Sequence, residues 1–426
     1  MRENFIKFTV LLNTISFFRN LTVLKYPQKI KVGFFHPNLM DSRSGSTELL
    51  FRDIIFNFRK KNDLEVHAIY GIERKRIDFY PTSFVKNVKY HKFVFSNSSS
   101  GYNHKILEAN PPYADLISRL DLDVLFCFCA TWGQNSIKQM QKGLPIILIS
   151  PFGHFASNGN VRKLYVSGKL NVKNLYRLGL YQAEEFYNPI NIPIFNKAKF
   201  KRQSESKGIL FGRTGRPDEA TFDPISLKAF NLLRKKYGNI VRFLYVNPSA
   251  CARDFVYKNK IDGVDFCEWL SREELRDFYN KIDVFAHSRL DGETLGVAIA
   301  EAMLHQNPVI THISRQYNEH LNILDLEISC KVTPLDDFIT YYKNMEYFLI
   351  YKKSLGAFGS SAKKHAEGLF NPNLTYAKIY HDVLFASCYK NKTKGSINNY
   401  RIFIIESYRY IRYNFLSFKA LFKSLF

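Results

Sequence analysis

The chain predicts an α/β protein made of two doubly wound, parallel, Rossmann-like sheets facing each other across a cleft. Three observations lead there. β-branched and aromatic runs alternate with helical patterns along most of the sequence; several of those runs are continuously apolar, as in strands covered on both faces; and the alternation slackens once, between roughly 187 and 206, before starting again. A length of 426 residues, with 46% hydrophobic and 15% aromatic side chains, supports two cores and argues against general disorder.

Residues 1–28 hold FIKFTVLLNTISFFRNLTVL, which Lys7, Asn13, Arg19 and Asn20 interrupt and no small-residue cleavage site follows. It reads either as an interfacial helix or as a helix packed on the first domain. That domain, 29–190, opens with the strand KIKVGFFHPN, a loop SRSGS carrying Gly45, and the helix TELLFRDIIFNFRKK. LEVHAIYGI follows as a strand, YADLISRL as a helix, DVLFCFCA as a buried strand, NSIKQMQKG as a helix ended by Gly143, and GLPIILIS as another buried strand. Pro, Asn and Lys without periodicity mark a linker at 191–205. The second domain, 206–370, restarts with the strand GILFGR, the helix SLKAFNLLRKKY, the strand VRFLYVN, a short helix near Ala252 to Val256, and the strand GVDFCEW. Ser271 and Glu274 have capping-box spacing and open the next helix. DVFAHS is the strand after that, and PVITHI follows a further helix running from about Gly296 to Gln306. Residues 371–426 carry the C-terminal helices. Their tail sets Tyr408, Ile411, Phe415 and Phe418 on one helical face and Arg409, Arg412, Lys419 and Lys423 on another, as suits either an anionic membrane surface or a helix packed on the protein with a solvated basic side.

Lys and Arg total 61 against 38 Asp and Glu, a net charge of +23. Such a field favours anionic partners: phosphorylated small molecules, anionic lipid or nucleic acid. The six cysteines include no C-x-x-C, and Cys127 and Cys129 alternate inside an apolar run, so they read as reduced, mostly buried thiols of a cytoplasmic protein. Neither G-x-G-x-x-G nor G-x-x-x-x-G-K-[ST] occurs, which weighs against dinucleotide and P-loop sites.

The stretch DGETLGVAIAEAMLHQNPVI, Asp291 to Ile310, sets Glu293 and Glu301 among small apolar residues. An unpartnered carboxylate is expensive to bury, so a ligand is expected to complete their bonding. Glu293 falls in a loop at the carboxyl end of a strand, and the glycine-led helix start behind it is a seat for phosphate. GETLGVAIAEAM followed by NPVI resembles the E-x7-E motif of retaining glycosyltransferases of the GT-B fold, family 4 (glycosyl transferases group 1), usually written E-G-F-G-x-x-x-x-E-A-M-A-x-G-x-P-V-I. ILFGRTGRPDEATFDP resembles the family's strand and G-R phosphate loop, and LYVSGKLNVKNLYRLGL with YNPI its segment before the hinge.

The resemblance implies a role for each residue. Glu301 would accept hydrogen bonds from two ribose hydroxyls of a UDP- or GDP-sugar, and Glu293 would hold hydroxyls of the donor sugar. Arg213 and Arg216, with Thr294, Leu295, Gly296 and Val297 at the helix start and Gly45 in the first loop, would surround the diphosphate. The family commonly has a Lys where this chain has Asp218, with Arg216 the substitute; His154 is the nearest match to the family's acceptor-side histidine. Retaining members imply a front-face displacement with no metal, no cofactor and no protein nucleophile. The D-L-D of Asp121 to Asp123 opens a buried strand and is no metal motif. The partners implied are a nucleotide sugar, a glycan or lipid-linked acceptor and an anionic membrane surface, with no specific nucleic acid, for a cytoplasmic protein peripheral to the inner face of the membrane. Two other readings stay open: a non-catalytic basic protein with a degenerate GT-B pocket, and a GT-B sugar-nucleotide epimerase.

Overall fold

The computed structural model describes residues 29–36, 38–40, 46–73, 85–95, 112–128, 143–150, 160–190, 208–294, 296–325 and 328–390. The N-terminal segment 1–28, most of the helix read in NSIKQMQKG, the linker 191–205 and the tail 391–426 lie outside them. The chain folds as two compact units. The first holds the described residues of 29–149, 160–164 and 378–390, the second residue 150 and those of 165–377.

The first sheet has strands β1 (Ile30–Phe35), β2 (Leu64–Glu73), β3 (Lys89–Phe95), β4 (Val124–Phe128), β5 (Ile146–Ile149), β6 (Val161–Val166) and β7 (Ala183–Glu185), in the order β3-β2-β1-β4-β5-β6-β7. The pairs β1·β2, β1·β4, β2·β3 and β4·β5 are parallel. Parallel pairing needs crossover helices, and α1 (Ser46–Phe58) and α2 (Pro112–Arg119) supply two of them. Phe34 of β1 meets Phe51 and Phe58 of α1 edge-on, with ring centroids 6.5 and 5.7 Å away; its neighbour Phe35 faces the other side and meets Tyr113 at 4.7 Å. Both faces of the central strand are thus buried by aromatics, which is why KVGFF lacks polar alternation. α3 (Lys169–Arg177) follows β6.

The second sheet is β8 (Ile209–Thr214), β9 (Val241–Val246), β10 (Val264–Cys267), β11 (Val284–Ala286), β13 (Val309–His312) and β15 (Cys330–Thr333), in the order β10-β9-β8-β11-β13-β15. All five of its pairings are parallel. A separate ribbon pairs β12 (Gly292–Glu293) with β14 (Tyr317–Asn318). The helices are α4 (Ile225–Tyr237), α5 (Ala250–Lys258), α6 (Arg272–Lys281), α7 (Val297–Leu304), α8 (Phe338–Ile350), α9 (Ser354–Leu369) and α10 (Pro372–Lys390). Phe211, Phe243 and Ile310 point into a core with Phe230 of α4 and Tyr341 and Phe348 of α8, while Phe285 and Val309 point into another with Tyr279 of α6 and Ile299 and Met303 of α7. Two dry layers hold one sheet, as its apolar runs require.

Ser271 caps α6 in a full capping box, its Oγ accepting from the Glu274 amide at 3.3 Å while Glu274 accepts from the Ser271 amide at 2.8 Å. The second half of α10 belongs to the first unit, where the Lys390 ammonium lies 2.7 Å from Asp121 and 3.2 Å from Asp123. The D-L-D carboxylates therefore anchor a strand start, Asp123 also accepting from the Lys31 amide at 2.8 Å. Five described cysteines are free thiols: Cys127, Cys330 and Cys388 buried, Cys267 half-buried and Cys251 exposed. No described helix is long and apolar enough to cross a membrane.

Candidate functional site

The second sheet reverses its strand order between β8 and β11: the chain moves from β8 toward one edge through β9 and β10, and from β11 toward the other through β13 and β15. Doubly wound sheets take ligands beyond the carboxyl ends of their strands at this switch point. Arg213 of β8 and Ser288 just past β11 join across it, Arg213 Nη1 donating to Ser288 Oγ at 2.7 Å and to the Asp223 carbonyl at 3.3 Å. The guanidinium lies 4.7 Å over the Tyr245 ring and is 7% exposed. Among the described residues its partners are neutral acceptors and a π face, with no carboxylate in ion-pair contact. Among the described residues, then, its charge is met by a π face and dipoles alone.

Beyond Ser288 the chain bends at Leu290 and Asp291, with the Gly292 amide donating to the Arg289 carbonyl at 3.2 Å, and this turn brings Arg289, Asp291 and Glu293 together. Arg289 grips Asp291 with two bonds, Nε to Oδ1 at 2.6 Å and Nη2 to Oδ2 at 3.1 Å, and reaches Glu293 Oε1 with Nη1 at 3.5 Å. The sequence reading puts Glu293 in a loop; it instead closes the two-residue strand β12. Gly292 makes this possible, since its φ of +82° favours glycine and a Cβ there would lie 1.7 Å from the Tyr317 carbonyl oxygen of β14. The Glu293 side chain is 25% exposed, with His287 Nε2 3.9 Å from Oε1. Burial pushes its pKa up, but the His287 contact and the charge of Arg289 outweigh that and hold it below the usual carboxylate value.

Three buried histidines stand behind these residues. His312 Nε2 accepts from the Arg289 amide at 3.2 Å, so its proton is on Nδ1, facing the Ile313 carbonyl at 2.9 Å. Burial lowers its pKa, as it lowers that of His287, and takes His320 down to about 3. All three are neutral near pH 7 and add hydrogen-bonding capacity without positive charge.

Gly296 begins α7 in the left-handed region, with φ +56°, and no side chain caps the helix. The amides of its first turn are left as donors. Glu301, in the second turn of α7, is partly exposed, and the hydroxyl of buried Tyr279 donates to its Oε2 at 2.9 Å. Burial and then the Glu301 charge push the Tyr279 hydroxyl pKa well above its ordinary value, so it stays a donor. This corrects the premise drawn from A-I-A-E-A-M: the carboxylate is neither fully buried nor wholly dependent on a ligand.

The fold thus brings Arg213, Glu293, Thr294, Gly296, Val297 and Glu301 onto β8, β12 and the start of α7. Arg216 is exposed in the turn after β8, with no hydrogen bond or ion pair to the described residues. Asp218 caps the short 3-10 turn Glu219–Thr221 by accepting from the Ala220 amide at 3.1 Å. Gly45, His154 and Leu295 lie outside the described residues. Among the described residues no group of three or more His, Cys, Asp or Glu is placed to hold a metal. Sequence reasoning missed Tyr279, His287 and Arg289; of these only Arg289 carried a local signal, the alternating charges of R-L-D-G-E.

Residues 210–323, which include Arg213, Glu293 and Glu301, match the family model described as glycosyl transferases group 1. Comparison of the sequence with curated proteins gives no match. Among solved structures, sucrose-phosphate synthase from Thermosynechococcus elongatus superimposes with a TM-score of 0.66 at 14% identity, covering 84% of this chain and 100% of that one. HepE of Anabaena, solved with UDP and glucose, gives 0.61 at 14% identity over 83% of this chain and 99% of its own. WaaG, a glycosyltransferase involved in lipopolysaccharide biosynthesis, gives 0.62 at 12% identity over 82% and 99%. At such identities the likeness carries the fold: two parallel-sheet α/β domains of the GT-B type.

Proposed function

We propose that the protein is a retaining hexosyltransferase that moves a sugar from a UDP- or GDP-sugar to a glycan or lipid-linked acceptor, in the synthesis of a surface polysaccharide or lipopolysaccharide. The observation that carries this reading is the pairing of Glu293 and Glu301 on either side of an uncapped helix start, with Arg213 across the switch point bearing no carboxylate partner among the described residues. Glu301 takes ribose hydroxyls and Glu293 takes hydroxyls of the donor sugar. As the glycosidic bond breaks, negative charge gathers on the departing diphosphate, where Arg213, Arg216 and the amides of 295–297 stabilise it. The leaving phosphate oxygen then accepts the proton of the acceptor hydroxyl on the same face, so the anomeric configuration is kept and no protein nucleophile, metal or cofactor is needed. HepE, solved with UDP and glucose, supports the uridine alternative. The net charge of +23 supports work at an anionic membrane surface on the cytoplasmic side.

The test is a panel of UDP- and GDP-sugars with candidate acceptors, reading nucleotide release and the anomer of the product by NMR. Acceptor-dependent release with an α-product from an α-donor is the expected result. Inversion refutes the mechanism, conversion of the donor alone identifies an epimerase, and absence of both binding and release refutes the function.

A further inference from the structure

We infer that His287 and Arg289 are positioning residues that clamp one oxygen of the Glu293 carboxylate and so aim the other at the donor sugar. The inference rests on the sugar-binding role of Glu293 proposed above. Both contacts fall on Oε1, Arg289 Nη1 at 3.5 Å and His287 Nε2 at 3.9 Å, and no described residue takes Oε2.

Each arm of the clamp is itself fixed. Arg289 is locked by its two bonds to Asp291, its amide donates to His312, and its carbonyl accepts from Ser314 Oγ at 3.0 Å. His287 is 4% exposed; Thr311 Oγ1 sits 2.8 Å from its Nδ1, and its carbonyl accepts from Tyr341 at 2.9 Å. With the Thr311 hydroxyl donating to Nδ1, the ring proton is on Nε2 and aimed at Glu293. That nitrogen is buried and makes no hydrogen bond, the 3.9 Å gap being just too long. A buried donor without a partner is costly. A carboxylate that closes a few tenths of an ångström onto it when sugar hydroxyls load the other oxygen removes that cost. His320, from the short 3-10 turn Glu319–Ile323, has its ring centroid 5.3 Å from that of His287, the planes tilted by 51°, and stays neutral; Asp291 and Asp218 share the charge of Arg289, and the positive charge of Arg213 also acts on His287. Arg289 is therefore the cation set against Glu293, and His287 its neutral donor.

His287→Phe removes the ring proton at similar volume, His287→Gln returns an N–H, and Arg289→Lys keeps the charge but loses the fork. UDP and UDP-glucose are the probes, with GDP and GDP-mannose run beside them. Expected is a loss of about tenfold or more in sugar-nucleotide affinity and kcat/KM for His287→Phe and Arg289→Lys, with partial rescue by His287→Gln. The affinity for the free diphosphate should stay within about twofold, which also reports an intact fold. The acid limb of kcat, which reports the loaded enzyme, should move up by roughly one pH unit in His287→Phe, as Glu293 there loses a donor to its ionised form. Equal weakening of diphosphate and sugar nucleotide, or an unmoved acid limb, overturns the inference. A wild-type protein that binds UDP or GDP while its variants match it on sugar nucleotides overturns this inference alone; one that binds no nucleotide overturns the function as well.

Discussion

Glu301 gives the most direct separation of ligand binding from architecture, because the tyrosine that holds it can be altered independently. Tyr279 occupies Oε2 at 2.9 Å. A carboxylate offers about four lone-pair positions, enough for Tyr279 and two ribose hydroxyls together. Glu301→Gln leaves one accepting oxygen and turns an N–H₂ toward groups that are themselves donors. At least one charge-assisted bond is lost, about 1.5–3 kcal/mol, which converts to roughly 10–150-fold in dissociation constant. Tyr279→Phe removes the hydroxyl and keeps the ring, which stacks 5.2 Å from His305. Glu301 then retains its full accepting capacity, so nucleotide affinity should fall less than about threefold while stability drops by about 1–2 kcal/mol. Calorimetric titration of both variants with UDP and GDP at one ionic strength, with thermal melts alongside, reads both quantities. If Glu301→Gln binds within threefold of wild type, or Tyr279→Phe weakens binding as much as Glu301→Gln does, the carboxylate serves to hold Tyr279 and the ribose assignment is wrong.

Two further outcomes follow from the same unit. Gly292→Ala places a methyl against the Tyr317 carbonyl in a left-handed backbone; it should cost about 3 kcal/mol or more, lower Tm, and displace Glu293 enough to abolish sugar-nucleotide binding, and a variant with wild-type Tm and binding refutes the strand pairing of β12 with β14. Burial first holds His305 down to about 4 and His320 to about 3, so below about pH 6.5 the unfolded chain binds protons that the fold refuses; stability is complete above that pH and is lost as pH falls toward 4, and denaturant midpoints measured from about pH 7.5 to about pH 4.5 should show it, with a slope reduced by about one proton in His320→Gln.

Several elements with a local signal are legible in the sequence, and those that depend on distant partners are not. VLFCF and IILI announce strands because both faces of β4 and β5 are dry, and the Ser271–Glu274 spacing announces a helix start because both halves of that cap lie within four residues. β3 escaped because it is an edge strand, paired with β2 alone: KYHKFVF leaves Lys89 and Lys92 exposed and so mixes polar with aromatic residues. β6 escaped for a different reason. VRKLYV contains Lys163, whose side chain is 9% exposed and sits 4.0 Å from Asp382 of α10. A buried lysine breaks the apolar run that marks a central strand, and the carboxylate that makes it tolerable is far along the chain.

The same distinction divides the site. Glu293, Gly296 and Glu301 are legible because their spacing is fixed by one short strand and one helix. Tyr279 reaches Glu301 only because α6 and α7 share a core layer, and His287 approaches Glu293 only because β11 ends beside the ribbon that Gly292 allows. None of these contacts has a sequence period. The consequence for charge is concrete: Asp218 spends its carboxylate on a turn, while Arg289 brings a guanidinium to Glu293 from within the R-L-D-G-E stretch. On the proposed function, that guanidinium would stand on the sugar side of the site. By the same proposal the diphosphate would depend on Arg213, Arg216 and the helix amides, which would make Arg213, with no carboxylate in contact among the described residues, the cation on which departure of the leaving group chiefly relies.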